Sequence, residues 1–217
     1  PCMVDPERNL PIARYGQSNL GQMKTIYRRG LGYRYGRAMQ AIAGIHYNYS
    51  LPIAFWDPYG EHLENSHPRG QFISEQYMGL IRNYRRMAWL FLYLFGASPA
   101  VCKSFCPEGG EILQELTAGT WYGPHSTSLR MSDIGYRNKT QAGLKISVNS
   151  LAEYTDGLAS AVMTPSKEYE GIGIRVEDEY RQLSANVLQI ENEYYSAIRP
   201  KPAPAAEEPP VARLRAM

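Results

Sequence analysis

Polar and apolar residues alternate most clearly over Met39–Pro52, which reads MQAIAGIHYNYSLP. One parity collects the polar side chains of Gln40, His46, Asn48 and Ser50, while the other consists of alanine, isoleucine and tyrosine. A strand places two such sets on opposite faces, so the pattern predicts a strand with one apolar and one polar face. Converging polar groups suit a ligand site. A half-exposed edge strand whose polar face meets water has the same pattern.

Two other stretches have apolar residues at the three- and four-residue spacing of amphipathic helices, and a third has helix start and stop signals. In the first, Leu20, Met23, Tyr27 and Leu31 fall on one face. Polar residues that can cap a helix precede the first and third stretches, and Thr164-Pro165 ends the third. The predicted helices run from a cap at Ser18 or Asn19 to about Gly36, over Gln71–Phe95, and from a cap at Asn149 or Ser150 to about Met163.

The remaining segments predict loops and short strands. Proline and glycine interrupt residues 53–70 and 106–125, which indicates a loop and an irregular region. We expect a short strand over Thr127–Ser132 that presents Arg130, and a hairpin formed by Gly171–Glu177 and Leu183–Ile190 around Asp178. Helices and strands are mixed without a regular βαβ rhythm, so the predicted fold class is α+β.

Composition limits the classes of protein to consider. The chain has 217 residues and is 44% hydrophobic, which gives ample core for one domain and excludes a wholly disordered chain. A net charge of +2 is too small to demand nucleic acid as a partner. The most apolar run, Met87–Phe95, is far shorter than the ~20 residues that span a bilayer, so we expect a core helix there and no membrane partner.

Cysteine usage indicates a cellular compartment. The three cysteines, Cys2, Cys102 and Cys106, are an odd number and no targeting pattern accompanies them. This favours reduced, buried thiols in a cytoplasmic protein.

Three groups of residues are candidates for binding or chemistry. His46 with Asn48 suits a metal or a phosphate, and Arg130 suits an anion, although a salt bridge to Asp133 explains that arginine equally well. The run Glu191–Tyr195 brings two carboxylates and two phenols together, or is simply a polar loop. The positions of these residues along the sequence do not indicate whether the three groups form one site. We find no phosphate-binding glycine loop and no nucleophile elbow.

Longer strings of sequence resemble a known family, the bacterial, proteobacterial-type glutamate–cysteine ligases. The similarity runs in order from Pro1 to about Lys201, and the 53–70 insert, the 107–120 loop and the Pro/Ala-rich tail depart from the family pattern. The strings that carry it are YGQSNLGQMKTIYRRGL (15–31), AIAGIHYNYSLP (41–52), YLFGASPAVC (93–102), TSLRMSDIGYRNKTQ (127–141), TPSKEYEGIGI (164–174) and NVLQIENEYYSAIRPK (186–201).

The resemblance implies a fold and an activity. The fold would be glutamine-synthetase-like, a curved antiparallel sheet that forms a funnel with helices outside. Residues 1–200 would be the central part of one catalytic domain, incomplete at both ends, and 201–217 a loop that leads to a missing C-terminal part. The activity would be ATP- and Mg²⁺-dependent joining of L-glutamate to L-cysteine through γ-glutamyl phosphate, the first step of glutathione synthesis, in a protein expected to be monomeric. Alternatives are a catalytically dead amino-acid- or nucleotide-binding module and a Tyr/Arg-rich RNA-binding domain.

Residue roles follow from the same resemblance. His46 matches a metal ligand, Arg130 matches an arginine near the transferred phosphoryl group, and Asn48 is a candidate phosphate or nucleotide contact. The cysteine pocket would comprise Tyr27, Leu31, Gln40, Tyr136 and Tyr195.

Spacing adds two expectations about these residues. Tyr27 and Leu31 are one turn apart on the predicted helix and share a face. Gln40 and His46 would share a strand face roughly 20 Å apart, at opposite ends of the funnel. The acidic metal ligands of the family lie mostly outside this chain, so we expect the isolated chain to lack turnover.

Overall fold

The structure is a computed structural model that describes residues 5–41, 46–96, 98–106, 109, 112–129, 141 and 143–201. The chain divides into two compact units. The first comprises Pro1–Ala43, Trp89–Leu144 and Ser160–Tyr195, and the second comprises Gly44–Ala88, Lys145–Ala159 and Ser196–Met217.

Helices dominate the described residues, and two small antiparallel sheets accompany them. This confirms an α+β class at the level of mixed helices and small sheets. The α-helices are α1 (Pro6–Asn9), α2 (Asn19–Tyr35), α3 (Ile53–His62), α4 (Arg69–Phe95), α5 (Leu151–Met163) and α6 (Lys167–Glu170). Three short 3-10 helices cover Ala38–Ala41, Lys103–Phe105 and Glu191–Glu193. The strands are β1 (Ala100–Cys102), β2 (Gln114–Thr117), β3 (Thr120–Tyr122), β4 (Arg175–Val176) and β5 (Glu179–Tyr180).

Helix α2 forms as predicted, because its ends carry the expected signals. The Ser18 hydroxyl accepts a hydrogen bond from the Gly21 amide at 3.1 Å and caps the first turn. Gly36 ends the helix with φ of 86°, a left-handed conformation that glycine adopts without strain. Helices α4 and α5 also confirm their predictions to within two residues.

The strand predicted over Met39–Pro52 is wrong for its described residues. Ala38–Ala41 is a 3-10 helix, residues 46–50 are exposed without regular structure, and residues 42–45 lie outside the described part. Gln40 and His46 therefore do not share a strand face. Alternation marks a strand only where a neighbouring strand supplies backbone hydrogen bonds, and the local pattern carries no information about that neighbour.

The first unit contains both sheets. In the larger one, with strand order β1-β3-β2, Trp121 of β3 lies opposite Val101 and Glu115. The irregular region predicted for 106–125 is therefore wrong over β2 and β3, which a two-residue turn joins. Cys102 on β1 is disulfide-bonded, which corrects the expectation of reduced thiols, whereas Cys106 is a half-buried thiol whose Sγ donates to the backbone oxygen of Gly109.

The predicted hairpin around Asp178 exists, but its second strand was predicted in the wrong place. Strand β4 pairs with β5, and Glu177 in the turn has φ of 55°. The chain therefore reverses at once and returns at Glu179, not at Leu183. Within 183–190 the structure shows one isolated bridge, between Asn186 and Pro165.

The second unit is built around aromatic side chains. Trp56 of α3 packs edge-on against Tyr77 of α4 with ring centroids 5.0 Å apart, and against Phe72 at 6.3 Å. The Tyr77 hydroxyl accepts a hydrogen bond from the Leu51 amide at 2.8 Å. These contacts explain why α3 forms in a segment predicted to be a loop, even with Pro58 inside the helix.

The apolar end of α4 is helical as predicted, but it is not buried in a core. Trp89, Tyr93 and Phe95 are 64%, 72% and 74% exposed. Among the described residues, no helix has the length and apolar character needed to cross a membrane.

Candidate functional site

A buried ion pair lies at the centre of the first unit. Arg34, near the end of α2, contacts Glu193, the last residue of a 3-10 helix, with 3.0 Å between Nη1 and Oε1. Their side chains are 0% and 1% exposed. A buried charge is costly unless it is paired and hydrogen-bonded, so the remaining polar atoms of both groups decide whether this pair is stable.

The Arg34 guanidinium is well satisfied. Its Nε and Nη2 donate to Oε1 of Gln182 at 3.0 and 2.9 Å, and Nη2 also donates to the backbone oxygen of Ser184 at 2.6 Å. The ring of Tyr169 lies beneath the guanidinium, 4.0 Å from its central carbon. Gln182, itself fully buried, is fixed because its Nε2 donates to the backbone oxygen of Tyr169 at 2.8 Å.

The Glu193 carboxylate accepts two more hydrogen bonds. Its Oε2 accepts a hydrogen bond from the backbone amide of Gln189 at 2.7 Å, and its Oε1 accepts one from the Tyr35 hydroxyl at 2.8 Å. Burial, and then the negative charge of Glu193, raise the pKa of Tyr35 well above its usual range. The phenol therefore stays protonated at neutral pH and remains a donor to the carboxylate.

Gln141 connects this cluster to Tyr195. Its Nε2 donates to the Tyr35 hydroxyl at 2.8 Å and to the backbone oxygen of Glu193 at 3.2 Å. Its Oε1 accepts from the backbone amide of Tyr195 at 3.1 Å. Tyr195 itself is half-buried. We call Arg34, Tyr35, Gln141, Gln182 and Glu193 the buried polar network.

Four residues of the predicted cysteine pocket belong to the first unit. Tyr27 and Leu31 lie one turn apart on α2 as predicted; Leu31 is 5% exposed and Tyr27 is half-buried. Gln40 is half-buried beside Gly32 of α2, and its Nε2 has no hydrogen-bond partner among the described residues. The fourth is Tyr195, whose backbone the network holds, while Tyr136 lies outside the described residues.

The predicted metal and phosphate residues have a different setting. His46 and Asn48 belong to the second unit and are exposed, and Asn48 Oδ1 accepts a hydrogen bond from Lys201 Nζ at 2.9 Å. Arg130 lies outside the described residues. Within the part of the chain that the structure describes, no three His, Cys, Asp or Glu side chains are grouped to hold a metal ion.

Sequence reasoning missed most of the buried polar network. The apolar face predicted for α2 did not include Arg34, although that side chain is buried. It identified Glu191–Tyr195 as either a site or a polar loop, and the burial of Glu193 contradicts the simple loop. Gln141 ends one of the strings that carry the family resemblance, which was the one available signal.

Gly30 of α2 lies close to Gln189 in the segment after β5, and this close approach gives a first prediction. A Cβ added at Gly30 would collide with the carboxamide of Gln189, which is buried and accepts a hydrogen bond from the Leu183 amide at 3.0 Å. We expect Gly30→Ala to destabilise the full-length protein by about 1–3 kcal/mol, measured by urea unfolding, because Gln189 cannot move freely. The control is Gly79→Ala on α4, where an added Cβ meets only ordinary contact.

Alanine is the better helix former by ~1 kcal/mol, so Gly79→Ala should leave stability unchanged or raise it. An equal gain from Gly30→Ala would show that the approach to Gln189 is looser than the structure indicates.

Comparisons with known proteins agree with one another. A family model described as glutamate–cysteine ligase matches residues 1–217. The glutamate–cysteine ligase of Shewanella oneidensis is 54% identical over 212 residues, covering 97% of this chain and 40% of that protein. The ligase of Alcanivorax borkumensis is 50% identical over 221 residues, covering 99% of this chain and 42% of that protein.

Among solved structures, the glutamate–cysteine ligase of Francisella tularensis in complex with AMP matches with a TM-score of 0.81 and 39% identity. The match covers 93% of this chain and 39% of that chain. The chain thus spans about two fifths of the length of the curated relatives it matches.

Proposed function

Since this chain belongs to the glutamate–cysteine ligase family, we propose that the full-length protein joins the γ-carboxylate of L-glutamate to the amine of L-cysteine. ATP would phosphorylate the carboxylate, and the cysteine amine would then displace phosphate from γ-glutamyl phosphate. The observation that carries this proposal is 54% identity to a named ligase across 97% of the chain. The likeness to an AMP-bound ligase supports ATP as the nucleotide.

The proposal includes the architecture and the setting of the reaction. Residues 1–200 would contribute the central part of one glutamine-synthetase-like catalytic domain whose sheet forms a funnel. The TM-score of 0.81 to a ligase supports this architecture. We place the reaction in the cytoplasm of the cell, where ATP is abundant, and take the enzyme to act as a monomer without nucleic acid or membrane as a partner.

The acceptor pocket is the part of the site with the best structural support. The half-buried Tyr27 lies one turn from the buried Leu31 on one face of α2, and this apolar setting suits the side chain of cysteine. The Gln40 side-chain nitrogen is a buried donor without a hydrogen-bond partner among the described residues. Buried polar groups are normally hydrogen-bonded, so we infer that a polar group of the substrate supplies the partner. Tyr195, and by resemblance Tyr136, would complete the pocket.

Magnesium does not fit the described residues alone. It prefers an octahedral shell of oxygen ligands, whereas His46 offers one exposed imidazole and no acidic cluster accompanies it in the described ranges. We infer that His46 contributes one ligand and that carboxylates beyond the described residues hold the ions. The ions would neutralise charge on the phosphates of ATP.

The test is steady-state kinetics of the full-length enzyme with glutamate, cysteine, ATP and Mg²⁺. We expect ATP-dependent formation of γ-glutamylcysteine. Gln40→Ala should raise the KM for cysteine about 2- to 10-fold, as expected for one lost neutral hydrogen bond, and leave the KM for ATP unchanged. Gln22→Ala is the matched control, because Gln22 is an exposed glutamine on α2.

Two outcomes would count against the proposal. Equal losses for all three substrates in Gln40→Ala would mean that Gln40 is structural. Binding of the amino acids and ATP without product would favour a catalytically dead binding module.

A further inference from the structure

Two parts of the proposed acceptor pocket are held by the same buried side chains. Helix α2 carries Tyr27 and Leu31, and Arg34 and Tyr35 follow within two turns. Tyr27 and Arg34 are seven residues apart and lie on the same side of the helix. Because a helix is stiff over this length, contacts that fix Arg34 and Tyr35 also fix the rotation and height of the pocket residues.

The other part of the pocket, Tyr195, follows Glu193 by two residues. Glu193 is tied to α2 by Arg34 and Tyr35, and its Oε2 closes the 3-10 turn by accepting from the Gln189 amide at 2.7 Å. The Tyr195 backbone then donates to Gln141. Every one of these groups belongs to the first unit.

The Gln141 carboxamide can occupy this place in one orientation only. The backbone oxygen of Glu193 accepts and cannot donate, so the NH₂ group must face it. The backbone amide of Tyr195 donates and cannot accept, so the carbonyl oxygen must face that side. The NH₂ group also donates to the Tyr35 hydroxyl, which in turn donates to Glu193. Donation therefore runs in one direction, from the Tyr195 backbone amide through Gln141 to Tyr35 of α2 and on to the Glu193 carboxylate.

We propose that Gln141 is a positioning residue for the amine acceptor. Its amide couples the face of α2 that carries Tyr27 and Leu31 to the backbone of Tyr195, and Tyr35 with the Arg34–Glu193 pair holds that amide in place. This inference rests on the proposed function, since it assumes that the pocket binds cysteine. It assigns Gln141 no contact with substrate.

The experiment compares Gln141→Met with the parent full-length enzyme. Methionine keeps the length of the side chain but removes both hydrogen-bond functions. We expect the KM for cysteine to rise about 5- to 20-fold, as expected when two or three neutral hydrogen bonds that order the pocket are lost. The KM values for ATP and glutamate, and kcat at saturating cysteine, should stay within about 2-fold.

Tyr35→Phe is the milder second variant. It keeps the ring but removes the hydroxyl that links Gln141 to the Glu193 carboxylate, while the direct bond from Gln141 to the Glu193 backbone oxygen remains. It should therefore raise the KM for cysteine in the same direction by a smaller factor. This variant tests the proposal even if Gln141→Met does not fold.

Arg82→Gln is the matched control for a purely structural effect. Arg82 lies in the second unit and its Nη1 donates to the backbone oxygens of Val148 and Asn149, both at 2.9 Å. Its replacement also removes internal hydrogen bonds, so it should lower the melting temperature without changing the KM for cysteine. If Gln141→Met and Tyr35→Phe likewise lower only the melting temperature, the positioning proposal is overturned.

Tyr195→Phe distinguishes failure of the positioning proposal from failure of the proposed function, here the assignment of the cysteine pocket. A raised KM for cysteine in Tyr195→Phe, with a normal one in Gln141→Met and Tyr35→Phe, overturns the positioning role alone. A normal KM for cysteine in Tyr195→Phe removes the pocket assignment and the positioning proposal together.

Discussion

Glu193→Gln should destabilise the full-length protein by about 3–5 kcal/mol, because it leaves the buried Arg34 guanidinium without its counter-charge. In either orientation, the NH₂ group of the glutamine would also face groups that now donate to Glu193: the Gln189 backbone amide at Oε2, or Arg34 and Tyr35 at Oε1. Urea unfolding followed by circular dichroism measures the loss. The matched control is Glu179→Gln, which breaks a 3.3 Å ion pair with Arg29 whose side chains are 54% and 28% exposed. We expect that control to cost less than about 1 kcal/mol.

A double-mutant cycle with Arg34→Met sharpens the result. Removing both charges leaves no unpaired ion in the interior, so Arg34→Met with Glu193→Gln should cost clearly less than the sum of the single changes. Additive single effects, or equal losses from Glu193→Gln and Glu179→Gln, would show that the pair is not a buried ion pair in solution.

Arg130→Ala should lower kcat of the full-length enzyme on the order of 10²-fold or more, with a much smaller change in the KM for ATP. From the family resemblance we propose that this arginine acts near the transferring phosphoryl group, where negative charge builds up in the transition state. Arg130→Lys keeps the charge but loses the planar fork that matches phosphate oxygens, so it should restore activity only in part. Arg85→Lys is the control, because Arg85 is exposed on α4.

Melting temperatures of the same preparations distinguish a chemical role from a structural one. If Arg130 only paired with Asp133, both substitutions at Arg130 would lower the melting temperature and leave kcat per folded molecule nearly normal. A near-normal kcat in Arg130→Ala would show that Arg130 does not stabilise the transferring phosphoryl group.

The three long helices were predictable from sequence because their signals are local. Periodicity and the Ser18 cap act within one or two turns, and α2 begins and ends where they indicate. The predictions of secondary structure were wrong where residues distant along the chain determine the local structure. Alternation over Met39–Pro52 did not produce a strand in its described residues, since a strand needs a neighbour. Helix α3 forms despite the proline at position 58 inside it, because Trp56 packs on aromatic residues of α4.

For the candidate site, too, the sequence predicted the local features but not those that depend on distant residues. The shared helical face of Tyr27 and Leu31 follows from their four-residue spacing, and the structure confirms it. The seven-residue spacing from Tyr27 puts Arg34 on the apolar side of α2, but this spacing does not predict burial, because arginine is a surface residue unless a distant partner satisfies it. That partner, Glu193, is 159 residues away along the chain. Only the fold brings the two together.

This separation along the chain also sets an order of events during translation. Arg34 leaves the ribosome long before Glu193: at about 5–20 residues per second, the intervening 159 residues take roughly 8–30 s to synthesise. During that time the guanidinium has no carboxylate to meet and is better solvated by water than by a core. Helix α2 therefore cannot dock in its final place until the segment around Glu193 emerges, although the helix itself is synthesised long before that segment.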